Sequence, residues 1–305
     1  MADSIGIGIL IYKNVNLGDW YQSAAALYIW WKYLNSSQSF SEFILACIRT
    51  NRIGNYPVYW IDRDRMSEFK KPDSCSKIVM ICNGWWMAAS NGAYDFPPAP
   101  YICPLFVSVH VATLDLLKPP VIEYFKRHEP IGCRDHSTVK LFEERGVRTY
   151  FSGCLTMMLN LRDPLVGFTP SIDYSTTHVF NDADLQIDNA RSDILYAKVT
   201  QQGSFPPDPL WIYKSIETTV NLLHAYKVTT KRLHVWLPLM CNRGNVVLWN
   251  EAKKRPFERG DCDFFSPHAD RFKGLFEFHD DEAGRIAHIR DISCRVEKAI
   301  GALFT

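Results

Sequence analysis

Several features that define common protein classes are missing from this sequence of 305 residues. The formal net charge is +1, from 34 Lys and Arg against 33 Asp and Glu, so the overall charge gives no indication of nucleic-acid binding. The apolar runs fall well short of the ~20 residues that a transmembrane helix needs. The first residues lack the basic region and cleavage site of a signal peptide. We therefore expect a cytoplasmic protein with no transmembrane segment and no nucleic-acid partner.

Motifs for several kinds of chemistry are also lacking. The chain has nine cysteines but no Cys-x-x-Cys pair, so neither a zinc ribbon nor a thioredoxin-type site is indicated. Cys47, Cys82 and Cys103 lie within apolar runs, which is typical of buried free thiols in a reducing compartment. There is no Walker A sequence and no Gly-x-Ser-x-Gly elbow. Gly6-Ile7-Gly8 resembles the start of a dinucleotide fingerprint, but no third glycine follows at the required spacing.

Aromatic residues, in contrast, are abundant. They make up 13% of the chain and include nine Trp, within a hydrophobic fraction of 47% that is ordinary for a globular protein. Large aromatic side chains bury much area, so a sizeable core is feasible at this length. Clustered aromatics can equally form a sugar-binding surface or a partner interface, and composition does not decide between these uses.

Short β-branched runs alternate with amphipathic stretches along the first half of the chain. Residues 5–12 predict a buried strand, and residues 20–34 predict a helix that Asp19 would cap. A second helix is predicted at 137–145, where Gly146 would end it. Strands that alternate with helices favour a parallel sheet in an α/β fold.

A change in composition divides the chain. Residues 160–210 are richer in Asp, Pro, Ser and Thr and show weak periodicity, which is typical of a domain junction. Regular patterns resume with a helix at 211–226, strands at 228–230 and 245–249, and a terminal helix at 282–304. We predict an N-terminal α/β domain at 1–155 and a smaller C-terminal α/β domain at 156–305, with a cleft between them.

Polar motifs follow predicted strands at several places. They are Asn16-Leu17-Gly18-Asp19, Gly132-Cys133-Arg134-Asp135, Ser152-Gly153-Cys154 and Lys231-Arg232-Leu233-His234. In α/β folds, ligands bind at the carboxyl ends of parallel strands, and helix N-termini attract anions. Each motif can equally be structural, as a plain turn, an Arg–Asp salt bridge or a surface basic cluster. Three Asp-x-Asp triplets, at 62–64, 182–184 and 261–263, are too nonspecific to predict a metal site.

The order of these short motifs resembles that of the polysaccharide pyruvyl transferase family over about residues 5–250. The motifs that carry the resemblance are Asn16-Leu17-Gly18-Asp19 with Gln22, Asn83-Gly84-Trp85-Trp86-Met87, Phe96-Pro97-Pro98, Ile102-Cys103-Pro104-Leu105-Phe106, Ser108-Val109-His110, Pro130-Ile131-Gly132-Cys133-Arg134-Asp135, Phe151-Ser152-Gly153-Cys154-Leu155-Thr156, and Arg232-Leu233-His234 with Leu237-Pro238. The resemblance implies two Rossmann-like domains that face a cleft, as in GT-B-like glycosyltransferases, with a C-terminal helix. It also implies transfer of a pyruvyl group from phosphoenolpyruvate to two hydroxyls of a saccharide, free or lipid-linked, to form a cyclic ketal.

The reaction that the resemblance implies suggests roles for individual residues as a hypothesis. His234 would protonate the methylene carbon of phosphoenolpyruvate, and Asp135 or Asp19 would accept a proton from the acceptor hydroxyl. The residues predicted to bind substrate are Arg134, Arg232, Lys231, Asn16, Gly18, Ser152, Gly153, Asn83, Trp85, Trp86 and His110. The scheme needs no metal and no cofactor, since phosphoenolpyruvate is the donor substrate.

The aromatic residues divide between two expected uses. Those expected to pack on the sheet are Trp20, Tyr28, Trp30 and Trp31. Those expected either to stack on a sugar ring or to pack in the core are Trp85, Trp86 and Tyr94. Two other functions stay open, a GT-B-type glycosyltransferase that uses a nucleotide sugar and a saccharide-binding protein without catalysis.

Overall fold

The computed structural model forms two compact units. It describes residues 4–13, 17–86, 96–111, 117–180, 208–250, 253, 255–256, 258, 275, 278 and 281–304. The first unit contains Met1–Tyr12, Ala46–Leu155 and Cys262–Thr305, and the second contains Lys13–Leu45 and Thr156–Asp261. Each unit has its own β-sheet and helices, so the fold is mixed α/β.

The first unit is built on a seven-stranded sheet in the order β2-β3-β1-β4-β5-β6-β7. Its strands are β1 Ser4–Ile11, β2 Arg52–Ile53, β3 Tyr56–Asp62, β4 Cys75–Trp86, β5 Ile102–Val111, β6 Ile131–Cys133 and β7 Thr149–Phe151. Neighbouring strands are parallel except β2 and β3, which are antiparallel. This mostly parallel sheet confirms the predicted α/β class.

A glycine allows the central strand β1 to lie close to the side chains of its neighbours. The strand lies between β3 and β4, and its residues Ile7 and Ile9 are fully buried. A Cβ atom at Gly8 would come within 3.0 Å of both Ile61 Cδ1 on β3 and Met80 Cβ on β4. Gly8 therefore makes room for packing inside the sheet.

Seven α-helices lie in the described part of the chain. They are α1 Leu17–Tyr33, α2 Phe40–Thr50, α3 Pro119–Lys126, α4 His136–Glu143, α5 Leu210–Leu223, α6 Leu233–Cys241 and α7 Glu282–Phe304. Helices α3, α4 and α7 belong to the first unit and α1, α5 and α6 to the second, whereas α2 begins in the second and ends in the first. None of these helices combines the length and the apolar content needed to cross a bilayer.

The second unit has a smaller sheet, in the order β11-β10-β9-β8. Its strands are β8 His178–Phe180, β9 Lys227–Thr230, β10 Val246–Asn250 and β11 Arg255–Pro256. Strand β9 pairs in parallel with both β8 and β10, and β11 is antiparallel to β10. Helix α6 directly follows β9, as the sequence predicted.

Helix α1 is apolar on nearly all sides and lies in the core of the second unit. Every residue from 17 to 31 is buried, which is the burial expected of a helix with no polar face. Its main packing partner is α5. The rings of Tyr28 and Trp31 also lie 5.2 and 5.5 Å from that of Phe40. The helix aromatics are therefore core residues, as predicted, but their main partner is another helix and not the sheet.

The sequence predicted one division of the chain, between residues 155 and 156, and the two observed units match it only in part. The chain does pass from the first unit to the second at that point. Residues 13–45, however, belong to the second unit, because α1 packs on α5. Residues 262–305 belong to the first unit, because α7 packs on its sheet. Each unit is therefore assembled from segments that are distant in sequence.

Helix α7 crosses the large sheet. The ring of His288 lies 5.5 Å from that of Phe151 on β7, and the ring of Phe304 lies 4.8 Å from that of Tyr56 on β3. Five strand spacings separate β7 from β3, a distance of about 24 Å. Phe304 is sixteen positions after His288, which corresponds to a rise of about 24 Å along a helix, so the two lengths match.

Replacing Ile300 with Ala tests whether α7 stabilises the sheet. Ile300 is fully buried on α7, so the change should lower the free energy of unfolding by about 2–4 kcal/mol through lost burial and the resulting cavity. Lys298→Ala, at an exposed position on the same helix, is the control and should change it by less than about 0.5 kcal/mol. Urea denaturation followed by circular dichroism measures both. Equal effects of the two substitutions would show that α7 does not contribute its buried face to stability.

Candidate functional site

The structure brings four of the predicted site residues together at one edge of the large sheet. His110 lies near the end of β5, Arg134 and Asp135 follow β6, and Ser152 follows β7. These three strands are parallel neighbours, so their carboxyl ends meet at the same edge. In α/β folds this is the edge at which ligands bind.

Asp135 is the centre of this cluster. Its side chain is fully buried, and its Oδ2 lies 2.5 Å from His110 Nδ1. Its Oδ1 accepts hydrogen bonds from the Thr138 N–H at 2.9 Å and the Ser137 hydroxyl at 2.7 Å. The bond from Thr138 makes Asp135 the N-cap of α4. One carboxylate therefore starts a helix and holds a histidine.

The surroundings of Asp135 keep it ionised. Burial alone would raise its pKa, but the hydrogen bond and charge of His110, the charge of Arg134 and the hydrogen bond from Ser137 together lower that pKa well below its usual range. An ionised carboxylate only accepts hydrogen bonds, so Nδ1 of His110 carries the proton between them. Nε2 is then the ring nitrogen through which His110 can exchange a proton with another group.

Arg134 is buried beside this pair, with 1% of its surface exposed. Its N–H donates to the Val109 carbonyl at 2.8 Å, which continues the pairing of β5 with β6. Its guanidinium is one of the charges that stabilise the ionised form of Asp135. The sequence motif indicated either an anion ligand or a salt bridge with Asp135. The burial and the electrostatic contact favour a role for Arg134 inside the cluster.

Ser152 and Gly153 lie directly after β7. The Ser152 Oγ accepts a hydrogen bond from the Ser108 N–H at 2.9 Å and lies 3.0 Å from the Cys133 carbonyl, to which it can donate. Gly153 has a φ of +65°, which favours glycine. The Ser152 carbonyl accepts a hydrogen bond from His288 Nε2 at 3.0 Å. These contacts bind the segment after β7 to other parts of the same unit.

The basic motif of the second unit lies at the start of α6. Arg232 is the N-cap residue, and its N–H donates to the Thr230 hydroxyl at 3.0 Å. Its side chain does not cap the helix. Lys231, Arg232 and His234 are half-buried, with His234 in the first turn. The side chains are therefore partly open to solvent at a helix end where anions are stabilised.

Gly18 and Asp19 lie within α1 and not before it. The helix begins at Leu17, so Asp19 is in its first turn, and the prediction that Asp19 is the N-cap was wrong. Its buried Oδ1 accepts a hydrogen bond of 3.4 Å from Gln22 Nε2. An acidic residue is favourable in a first turn because of the helix dipole, and the same chemistry favours it at the cap.

The remaining predicted residues are placed only in part. Asn83 is buried on β4. Trp85 and Trp86 continue that strand, but the structure does not describe their side chains. Asn16 and Tyr94 lie outside the described residues. The prediction that these aromatic rings contact a sugar therefore stays a prediction.

The first Asp-x-Asp triplet has a local structural role. Asp62 caps a short 3-10 helix, Arg63–Arg65, by accepting from the Asp64 N–H at 3.0 Å. Asp64 in turn forms an ion pair of 2.9 Å with Arg63. The other two triplets lie outside the described residues. Within the described ranges, no three His, Cys, Asp or Glu side chains converge on a point that could hold a metal ion.

Four residues in contact with this cluster were not among the predicted site residues. Thr138 and Ser137 follow Asp135 as small hydroxyl residues in the first turn of a predicted helix, which is a recognisable capping signal. Ser108 stands in a motif of the resemblance, but nothing local indicates its conformation. His288 is distant in sequence, and its contact with Ser152 depends on the tertiary fold.

Comparisons with known proteins do not identify a function. No protein-family model matches the sequence, and no curated protein matches it. Among solved structures, the chain is similar to a functionally uncharacterised protein from Klebsiella pneumoniae subsp. pneumoniae NTUH-K2044, with 16% sequence identity and a TM-score of 0.49. The alignment covers 89% of this chain and 90% of that chain.

Replacing Asp135 with Asn tests the charge at the centre of the cluster. Asn caps helices about as well as Asp, so α4 keeps its cap while His110 and Arg134 lose a negative charge. The free energy of unfolding should fall by about 3 kcal/mol at pH 7. Because the folded-state pKa of Asp135 is below its unfolded value of about 3.9, the wild-type advantage should be complete above about pH 5 and decrease as the pH falls further.

Urea denaturation of both proteins from pH 7 to pH 3 measures that advantage. Asp291→Asn serves as the control, because this exposed carboxylate pairs with Arg295 on the helix surface and should matter little. A wild-type advantage that stays constant across this pH range would contradict the lowered pKa of Asp135.

Proposed function

We propose that this protein transfers a pyruvyl group from phosphoenolpyruvate to two hydroxyls of a saccharide, which forms a cyclic ketal. The observation that carries the proposal is the start of α6, where Lys231, Arg232 and His234 are partly open to solvent. Phosphoenolpyruvate carries a carboxylate and a phosphate, and cationic side chains at a helix N-terminus suit both groups. The resemblance in motif order supports the same conclusion and the GT-B-like arrangement of two Rossmann-like domains.

The reaction requires a proton donor and a proton acceptor. A proton delivered to the methylene carbon makes C2 of phosphoenolpyruvate electrophilic, and one sugar hydroxyl attacks it. The C–O bond to phosphate then breaks, and the second hydroxyl closes the ketal. The two protons that the hydroxyls lose balance the proton gained by the methylene carbon and the one carried away by phosphate.

His234 is the proposed acid, because it lies in the first turn of α6, two residues after the Arg232 that would hold the donor. Asp135 is less suited to accept a proton than the sequence suggested, since its pKa is strongly lowered and its oxygens accept hydrogen bonds already. Its carboxylate is suited to orient His110. We therefore propose His110 as the second proton carrier, with Asp19 as the remaining acidic candidate.

Thermal-shift measurements test donor binding without knowledge of the acceptor. Phosphoenolpyruvate at about 100 times its dissociation constant should stabilise the wild type by about 2.7 kcal/mol. Arg232→Ala should lose most of this stabilisation, because the cation that pairs with the donor is removed. Stabilisation by nucleoside diphosphates in place of phosphoenolpyruvate would favour a nucleotide-sugar glycosyltransferase, and stabilisation by glycans alone would favour a binding protein.

Phosphate release from phosphoenolpyruvate, measured with a panel of saccharide acceptors, tests the chemistry. His234→Ala should lower turnover at least about 100-fold through loss of the acid. His224→Ala is the matched control, because His224 is exposed at the end of α5 in the same unit. Wild-type turnover in His234→Ala would remove His234 from the mechanism.

A further inference from the structure

Strand β5 is irregular near its carboxyl end. Phe106 pairs with Cys82 and Val109 pairs with Gly84, so three steps along β5 match two steps along β4. Ser108 lies in this stretch with a φ of +61°. This left-handed conformation is uncommon for residues other than glycine. Bulges of this kind re-aim the side chains that follow them and are frequent next to functional sites.

Two buried hydrogen bonds hold Ser108 in this conformation. Its N–H donates to Ser152 Oγ at 2.9 Å, and its own Oγ accepts from the Leu155 N–H at 3.0 Å. Ser108, Ser152 and Leu155 each expose less than 5% of their surface. Water cannot readily replace these bonds, so their loss would leave buried polar groups unsatisfied. The segment after β7 thus fixes the backbone of β5, although β6 lies between the two strands.

The bulge determines where His110 points. His110 follows Ser108 by two residues, and its ring reaches Asp135 beyond the end of β6. Side chains alternate between the two faces of a strand, so removal of the extra residue would turn His110 toward the opposite face. The next residue is also fixed, because the Val111 N–H donates to the Thr138 hydroxyl at 3.2 Å. Ser108 and α4 therefore hold the end of β5 from two directions.

We propose that Ser108 is a positioning residue that presents His110 to Asp135 in one orientation. The left-handed backbone of Ser108, held by Ser152 and Leu155, sets the direction of the imidazole and keeps the proton on Nδ1. Ser108 itself touches no substrate in this proposal. The claim that Ser108 orients His110 does not depend on the reaction. The claim that this orientation serves proton transfer rests on the proposed function.

The proposal is tested by asking which of two variants, Ser108→Ala or Ser108→Gly, disturbs the orientation of His110 more. Both variants lose the hydroxyl that binds Leu155. Alanine is disfavoured at positive φ, so the bulge should relax and His110 should leave Asp135. Glycine adopts positive φ freely, so the bulge should persist. An ordinary strand residue would behave in the reverse order, because glycine inside a strand is less stable than alanine.

Nuclear magnetic resonance of the Nδ1 proton, in protein labelled with ¹⁵N-histidine, reports the orientation of His110. The chain has nine histidines, and His110→Gln identifies the signal. Exchange of this proton with solvent should be about tenfold faster or more in Ser108→Ala and close to the wild-type rate in Ser108→Gly. Ser152→Ala removes the acceptor of the Ser108 N–H without changing Ser108 and should behave like Ser108→Ala.

An unchanged signal in both Ser108→Ala and Ser152→Ala would overturn the proposal. A larger effect in Ser108→Gly than in Ser108→Ala would overturn it as well. Phosphoenolpyruvate turnover is measured separately, and kcat should fall about tenfold in Ser108→Ala with little change in KM. If the wild type shows no such turnover, the proposed function fails while the proton signal still decides the role of Ser108.

Discussion

The fully buried carboxylate of Asp135 sets the main constraint on the first unit. A charge in the protein interior is tolerated only where hydrogen bonds and opposite charge compensate it. His110, Arg134 and the first turn of α4 supply that compensation from two strand ends and a helix N-terminus. The positions of these elements are therefore linked, because displacing any one of them would leave buried charge uncompensated. The contacts that keep Asp135 ionised are therefore the same contacts that hold the ends of β5 and β6 and the start of α4 together.

Much of the architecture could be predicted because local patterns determine it. Apolar β-branched runs placed β1 within one residue of its observed ends, and the amphipathic pattern gave the same bounds for α7 that the structure has. The first residue of α1 could not be predicted from the local sequence. Asp19 is favourable both as a cap and in a first turn, so local sequence does not separate a helix that begins at Leu17 from one that begins at Trp20.

The assembly of the units could not be predicted from the same patterns. Periodicity shows which face of a helix is buried but not which element covers it. Helix α1 has no polar face, so its sequence indicates burial and says nothing of α5 as its partner. Within the site, the capping role of Asp135 was accessible from residue type and position. The positive φ of Ser108 was not, because serine has no preference for it and the contacts that stabilise it come from residues 152 and 155.

The role of Ser152 follows from how these long-range contacts combine. Its hydroxyl accepts from the Ser108 N–H, and its carbonyl accepts from His288 on α7. With both groups engaged inside the unit, Ser152 is better suited to link elements than to bind a substrate, which differs from its expected role. The link extends from α7, which crosses the sheet, through the segment after β7 to the bulge before His110. A terminal helix without any predicted site residue thus contributes to the orientation of the imidazole on the far side of two strands.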